Sequence, residues 1–267
     1  SRPIMTLSAY CRLLAGAEDI AERAAAVLTS MQGRQRSVSR KALLDVVTDA
    51  DIASETLVLK GLAKLTPEAA ILSEEAGFRG LPGGARWIVD PLDGTVNYAA
   101  GLPWFSVTMA YQENDETKVG ILNAPLAGIL ARYVAGELAT VNGVDARVST
   151  TASLSDAIVS VILTSHFDES EVARTSEIVR RLGGACRGVR IIVSGGLEMS
   201  LVASARLDAY VSLKADNVSH AAGMPLVRAA GGRVTTLSGL DSNDDTFEKI
   251  ASNGLLHQEL LDCLSRV

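Results

Sequence analysis

Residues 87–95 of this 267-residue chain read Trp-Ile-Val-Asp-Pro-Leu-Asp-Gly-Thr. The apolar run at residues 87–89 is typical of a short buried strand. Pro91 fixes its own φ and cannot donate a backbone hydrogen bond, so we expect the chain to leave the strand there. Asp90 and Asp93 then lie on one tight turn, where a pair of carboxylates suits a hard cation such as Mg²⁺. The sequence therefore predicts a metal site at the end of this strand.

The two residues that close this turn offer groups for an anion. Gly94 allows a positive φ or a close backbone approach. Thr95 brings a hydroxyl and a backbone N–H that can meet a phosphate or a water held by the cation. Asp-rich turns are often only solvated, so the prediction needs support from elsewhere in the chain.

Two upstream segments supply further acids. Residues 45–51 read Asp-Val-Val-Thr-Asp-Ala-Asp and hold three carboxylates. Residues 71–75 form a second apolar run that ends in Glu74 and Glu75. Carboxylates at this density repel one another unless a cation neutralises them. Three separate segments therefore point to the same kind of site.

The order and spacing of these segments resemble the inositol-monophosphatase-like family, whose members are Mg²⁺-dependent and often lithium-sensitive phosphomonoesterases. The matching stretches are residues 45–51, 73–75, 87–98, 201–210 and 221–232, so the resemblance covers nearly the whole chain. It implies an α/β (α+β) fold layered as an α-β-α-β-α sandwich, the type of inositol monophosphatase and fructose-1,6-bisphosphatase.

The resemblance also implies a role for each residue at a matching position. The implied metal ligands are three carboxylates and one carbonyl, those of Glu74, Asp90, Asp93 and Leu92. The implied catalytic groups, which orient and deprotonate water, are Glu74, Thr95 and Asp51. The implied phosphate contacts are the backbone N–H groups of Gly94 and Thr95, and the positions near the leaving group are Ser194 and Gly195.

The chain departs from the family pattern on the leaving-group side. The family has a Trp-Asp pair before its Ala-Ala-Gly run, and this chain has Val218 and Ser219. The replaced Asp ligands metal in the family, and a neutral serine is a poorer ligand. Asp216 lies three residues earlier and is a candidate to reach the site from a shifted loop. Ser212 stands where inositol phosphatases have a Glu that contacts substrate hydroxyls.

We therefore keep Ser212, Asp216 and Ser219 as candidate substrate contacts. His220 has two interpretations: an acid at the leaving group, or a histidine of the core or the surface.

Together these features predict a Mg²⁺-dependent phosphatase that hydrolyses a small-molecule phosphate ester with a metal-activated water and two or three ions. The candidate substrates are a sugar phosphate, a nucleotide or an intermediate of a specialised pathway. Ser212 and Ser219 keep two alternatives open. One is a catalytically impaired binding or regulatory protein, and the other is a metal-dependent phosphate elimination. The resemblance further implies lithium inhibition and a homodimer.

The composition fits a globular enzyme, with 48% hydrophobic and 21% charged residues. The net charge of −6 argues against a nucleic-acid polymer, which needs a basic surface. Three cysteines far apart predict no disulfide framework, which favours a cytoplasmic location. We also expect no membrane partner, because the sequence has neither a long uncharged apolar run nor a secretion leader.

Several elements follow from periodicity and turn chemistry. Apolar spacing predicts helices over residues 7–31, 52–65 and 197–205. Asp45 and Asp49 have a second interpretation as caps of the helix at 52–65, because Asp favours helix N-termini.

Two further patterns predict a hairpin and a capped helix. Alternation predicts strands over residues 106–111 and 118–122 with Asn114-Asp115 at their polar tip. Asp168 and Glu171 form a capping-box pattern, and the helix that they start is expected to end at Gly183-Gly184. A polar cluster suggests two halves: residues 1–145 with the metal site, and residues 146–267, which complete the substrate site.

Overall fold

We describe a computed structural model that covers residues 6–32, 38–40, 46–80 and 84–265, with the backbone alone at 38–40 and 46–48. Asp45 lies outside these ranges. Within them the chain forms seven α-helices. Their bounds are α1 Leu7–Met31, α2 Asp49–Leu65, α3 Thr95–Ala99, α4 Glu169–Ala185, α5 Gly195–Ala203, α6 Gly223–Ala229 and α7 His257–Leu264.

The strands of the same ranges form two main sheets and a two-stranded ribbon. Their bounds are β1 Val38–Arg40, β2 Val46–Thr48, β3 Ala70–Ser73, β4 Gly77–Arg79, β5 Arg86–Asp93, β6 Ser106–Glu113, β7 Glu116–Ala124, β8 Ile129–Val134, β9 Leu138–Val141, β10 Val144–Asp145, β11 Ile158–Val161, β12 Gly188–Arg190, β13 Ala209–Ser212, β14 Arg233–Thr235 and β15 Lys249–Ser252.

The large sheet has the order β10-β9-β8-β7-β6-β5-β3-β4 and is antiparallel except where β3 pairs with β5. The smaller sheet has the order β12-β11-β13-β15-β14, with β11 parallel to both of its neighbours. No helix in the described part of the chain is long and apolar enough to cross a bilayer.

Helices and sheets alternate in five layers. Helices α1 and α2 cover one face of the large sheet, and α5 and α6 pack between the two sheets. Helices α4 and α7 cover the outer face of the smaller sheet. In the described ranges, four apolar clusters fill the spaces between these layers. The expected layered α+β sandwich is therefore confirmed, because each element buries one apolar face against the next layer.

The predicted end of the strand at Pro91 is wrong. Strand β5 continues to Asp93, and its pairing with β6 shifts register between Asp90 and Asp93. A β-bulge accommodates a proline, because the bulged strand does not need every backbone donor for the ladder. The strand thus carries both aspartates to its end, with a shift of register between them.

Most of the other local predictions are confirmed, with shifted bounds. Helix α1 has the predicted bounds, and α5 begins two residues before the prediction. The predicted hairpin is β6–β7, and Asn114 and Asp115 at its tip have φ of 51° and 60°. Its strands extend to the tip, because two residues with positive φ suffice for a tight hairpin turn.

The two predicted helix boundaries differ in outcome. Asp168 caps α4 with a complete capping box, in which Glu171 is the partner. The predicted stop at Gly183-Gly184 is wrong, because both glycines lie inside α4 and the helix ends at Ala185. Helix α2 starts at Asp49 rather than at residue 52, which places Asp49 and Asp51 in its first turn.

Candidate active site

A cavity of about 330 Å³ lies between the end of β5, the start of α5 and the segment that follows β13. Predicted site residues make up much of its wall. The predicted residues on the wall are Glu74, Asp90, Leu92, Asp93, Gly94, Thr95, Gly195, Ser212 and Asp216. A larger groove of about 710 Å³ beside β7, β8 and α6 holds none of the predicted site residues.

Hydrogen bonds within the turn and from helix α2 hold the turn at the end of β5. Asp90 Oδ1 accepts the backbone N–H of Leu92 at 3.0 Å. From α2, the Ser54 hydroxyl donates to the Pro91 carbonyl at 2.7 Å. Gly94 follows with φ of +90°, and a Cβ there would lie 2.7 Å from the Trp104 carbonyl oxygen. Glycine is therefore required at 94 for both reasons given by the sequence.

Thr95 links the turn to helix α2. Its hydroxyl lies 3.1 Å from Asp51 Oδ1 and 3.1 Å from the Leu92 carbonyl oxygen. Both acceptors orient the hydroxyl oxygen, which keeps its lone pairs for a water in the cavity. Asp51 itself is buried behind Thr95 and is not part of the cavity wall.

Asp93 is bound at the N-terminus of α5. The hydroxyls of Ser106 and Ser194 donate to Asp93 Oδ2 at 2.8 and 2.6 Å. The backbone N–H groups of Gly195 and Gly196 donate to its two oxygens at 3.1 and 3.0 Å. An anion is favourable here, because the first N–H groups of a helix have no partner within the helix. Ser194 is fully buried and contacts the site through Asp93.

The carboxylates of the cavity disfavour one another's charge. Burial raises the pKa of Asp90 well above its ordinary value, and the charges of Glu74, Asp93 and Asp216 raise it further. Burial also raises the pKa of Asp93, although the hydroxyls of Ser194 and Ser106 lower it in part. Such a set gains free energy when a cation neutralises it.

The donor set fits a hard cation such as Mg²⁺. Carboxylates and the Leu92 carbonyl are all oxygen ligands, and the cavity wall holds no thiol. In the part of the chain that the structure describes, however, no three acidic, histidine or cysteine side chains meet closely enough to hold an ion as they stand. Asp93 accepts hydrogen bonds from the start of α5 with both oxygens. The carboxylates must therefore move closer together to bind an ion.

The residues after β13 differ in their access to the cavity. Asp216 lies on the wall and is half-exposed, with 51% of its side chain accessible. Ser219 is fully buried, and its hydroxyl donates to Asp216 at 2.6 Å. Ser212 is also buried, and its Oγ has no hydrogen-bond partner, although it lies on the wall.

Both ring nitrogens of His220 have protein partners. Nδ1 lies 2.8 Å from the Asp216 carbonyl oxygen, which only accepts, so Nδ1 carries the proton. In the neutral ring, Nε2 then accepts from the Tyr210 hydroxyl at 2.6 Å. His220 lines the cavity, but it is almost fully buried and both of its nitrogens have protein partners, which favours the core interpretation over that of a proton donor.

Four residues near the cavity escaped the sequence analysis. Tyr210, Lys214 and Phe247 lie on the wall, and Phe247 is 67% exposed. Glu198 is fully buried in α5 and accepts from the Ser194 N–H at 2.9 Å and from the Ser160 hydroxyl. Burial raises the pKa of Glu198 to about 7. Glu198 could have been found from the sequence, because it is a lone acid in an otherwise apolar helix. No sequence pattern indicates a place in the site for the other three residues.

The chain is similar to proteins of known family. It is 34% identical over 236 residues to a fructose-1,6-bisphosphatase/inositol-1-monophosphatase of Thermotoga maritima, covering 88% of this chain and 89% of that protein. It is 31% identical over 238 residues to the Nus factor SuhB of Escherichia coli K12, covering 85% and 88% respectively.

Comparison with a solved structure and with a family model points to the same family as these relatives. The extragenic suppressor protein SuhB of Bartonella henselae superposes with a TM-score of 0.90 at 27% identity, covering 96% of this chain and 99% of that one. The sequence model of the Inositol monophosphatase family matches residues 10–264. This chain therefore belongs to the inositol monophosphatase family.

Proposed function

We propose that the protein is a Mg²⁺-dependent phosphomonoesterase that hydrolyses a small-molecule phosphate. The observation that carries the proposal is that Glu74, Asp90, Asp93 and Thr95 all line one cavity. Asp90 and Asp93 are the most deeply buried of these acids, and burial raises the pKa of both. Family membership and the phosphatase name of the Thermotoga relative support the same reaction class.

The proposed ligands are the Glu74, Asp90 and Asp93 carboxylates and the Leu92 carbonyl. Bound Mg²⁺ supplies charge neutralisation at the phosphate dianion and lowers the pKa of a nearby water. The chain's own part is to hold these oxygens on a short bulged strand end, where Ser54 and the Leu92 N–H fix the turn. The number of ions is two or three in this proposal.

Glu74 and Thr95 are the proposed groups that handle the attacking water. Glu74 is exposed on the cavity wall and can accept a proton. The Thr95 hydroxyl, oriented by buried Asp51, fixes the direction of attack. General-base help of this kind contributes about 10²- to 10⁴-fold to a rate. The backbone N–H groups of Gly94 and Thr95 are the proposed contacts to the phosphoryl oxygens.

The remainder of the wall supports a substrate other than inositol phosphate. Ser212 offers a buried hydroxyl with no partner in place of a carboxylate. Phe247 exposes an aromatic side chain, and Lys214, ion-paired to Glu171 at 3.0 Å, brings a cation. A nucleotide or another ester with a flat leaving group matches these residues better than a polyol does. The protein is proposed to act in the cytoplasm as a homodimer.

The test is phosphate release from a panel of esters (inositol, sugar and nucleotide monophosphates), with Mg²⁺ and with EDTA, beside a Glu74→Gln control. Release that needs Mg²⁺ and disappears in the variant is the expected result. Free phosphate accompanied by a dehydrated product in place of the alcohol would indicate elimination instead. Tight binding of an ester without any turnover would favour a binding role, which the similarity to SuhB, a protein named as a Nus factor, also suggests.

A further inference from the structure

Asp216 brings a further carboxylate to the cavity, from the segment that follows β13. It lies between β13 and α6, and its half-exposed side chain forms part of the same wall as Asp90 and Asp93. It is near enough for its charge to raise the pKa of both. Two acids at the end of the large sheet thus face a third from the smaller sheet.

The Asp216 carboxylate is held by its own segment. Its Oδ1 accepts the backbone N–H groups of Val218 at 3.0 Å and of Ser219 at 2.7 Å. The Ser219 hydroxyl lies 2.6 Å from each of the two oxygens. These four contacts hold both carboxylate oxygens in place at the cavity wall.

His220 fixes the backbone of Asp216. Its Nδ1–H donates to the Asp216 carbonyl, and the ring is anchored at its other nitrogen by the Tyr210 hydroxyl. The ring also packs against Gly195 so closely that an added Cβ would lie 2.6 Å from it. His220 therefore ties the position of Asp216 to the start of α5, the same place where Asp93 binds.

Ser219 is not part of the cavity wall, and its buried hydroxyl contacts both oxygens of Asp216 instead. The residue type at 219 instead supplies a donor for the carboxylate three residues earlier. We propose that Asp216 is the leaving-group-side ligand of the magnesium site and that Ser219 and His220 are positioning residues that hold it there. This inference rests on the proposed function, because it assigns one more ligand to the same site.

The experiment measures Mg²⁺ binding by calorimetry on the full chain, so it does not depend on turnover. The variants are Asp216→Asn, Ser219→Ala and their combination, with the exposed Asp241→Asn as a matched control and Glu74→Gln as a second ligand variant. Asn keeps the size and one acceptor oxygen of Asp216. Asp216→Asn should weaken Mg²⁺ binding at least about tenfold, and Asp241→Asn should leave it unchanged.

Ser219→Ala should weaken Mg²⁺ binding less than Asp216→Asn and should have no added effect in the Asp216→Asn background, because it acts through Asp216. Equal losses from Ser219→Ala in both backgrounds would overturn the positioning role. Thermal melts give an independent readout. Mg²⁺ should raise the melting temperature of Asp216→Asn less than it raises that of the wild type, each compared with its own value in EDTA. An equal rise in both proteins would show that Asp216 is only a structural cap.

Failure of this inference is distinct from failure of the proposed function. If Asp216→Asn binds Mg²⁺ like the wild type while Glu74→Gln binds it weakly, the assignment of Asp216 is wrong and the phosphatase site stands. If the wild type binds no Mg²⁺ and releases no phosphate, both proposals fall.

Discussion

At the scale of single residues, the Thr95 hydroxyl is the group of the site whose position matters most for the orientation of the attacking water. It lies 3.1 Å from both Asp51 Oδ1 and the Leu92 carbonyl oxygen, so one hydroxyl joins a helix, a strand end and the cavity. A side chain without the hydroxyl keeps the fold but loses the orientation of the attacking water. The buried Asp51 would also lose its donor from Thr95.

Thr95→Val should therefore lower kcat by about 10²- to 10³-fold with a small change in KM, because the loss falls on proton transfer. Thr95→Ser, which keeps the hydroxyl, is the control and should stay within several-fold of the wild type. Steady-state phosphate release at saturating Mg²⁺ measures both. Equal rates for Val and Ser at 95 would contradict the role given to the hydroxyl.

Glu198 predicts a pH dependence of stability. Burial raises its pKa from 4.5 to about 7, so the folded state binds its proton more tightly than the unfolded state. The stability gained from this proton is full below pH 4.5 and is lost as the pH rises to about 7.

Glu198→Gln should remove that loss, because the amide stays neutral while its oxygen can still accept from the Ser194 N–H. The variant should be more stable than the wild type at pH 8, by roughly 3 kcal/mol at most, and nearly equal at pH 4.5. Urea unfolding at the two pH values measures the difference. A difference in unfolding free energy that is the same at both pH values would contradict the raised pKa of Glu198.

At the scale of elements, the start of α5 is packed without spare room. Gly195 faces the His220 ring, and a Cβ there would lie 2.6 Å from it. Because His220 is held at both nitrogens, it cannot move aside cheaply. The start of α5 and the segment before α6 therefore constrain each other.

Gly195→Ala should destabilise the fold by about 1–3 kcal/mol through overpacking. Adding His220→Ala should relieve the clash, so the double variant should lose less than the two single losses combined. Gly184→Ala is a matched control, since Gly184 lies in α4 with nothing within 4 Å of an added Cβ. It should stabilise by about 0.5–1 kcal/mol. Chemical denaturation measures all four, and additive losses would rule out the contact.

Elements set by neighbouring residues could be predicted from the sequence, and those set by distant partners could not. The capping box of Asp168 and the turn at Asn114-Asp115 depend on three or four residues, and both are present. The continuation of β5 beyond Pro91 depends on its pairing with β6 and a bulge. No local pattern reports such pairing.

The same distinction applies to the site. The turn after residue 89 and the glycine at 94 follow from local chemistry. The burial of Ser219 behind Asp216 depends on the path of a segment fixed by Tyr210 and His220. The binding of Asp93 by α5 joins residues more than 100 positions apart, so sequence spacing could not show it.

At the scale of the whole molecule, the cavity lies where the large and small sheets approach each other through α5. Acids from both sides face it, Asp90 and Asp93 on one and Asp216 on the other. Their repulsion in the absence of a cation opposes the approach of the two sides. Ions that bind there should therefore act on global stability as well as on chemistry.

Mg²⁺ should raise the melting temperature of the wild type by several degrees. A ligand at about 100 times its Kd adds about 2.7 kcal/mol to the free energy of unfolding, and about 1 kcal/mol shifts a chain of this size by roughly 2–4 °C. Scanning calorimetry in MgCl₂ measures the shift, with KCl at equal ionic strength as control. An equal rise in KCl would indicate screening alone.

The attachment of Asp93 to α5 has a practical consequence for anyone who wants an inert form of this protein. Asp93 connects the large sheet to α5, the helix that leads into the smaller sheet. Four donors from β6 and the start of α5 form hydrogen bonds to its carboxylate. An inactive variant made by replacing Asp93 would lose these hydrogen bonds. The cavity walls that bind the substrate would then be less rigid. Glu74, exposed at the cavity rim, is the better residue to change for co-crystallisation with an intact ester.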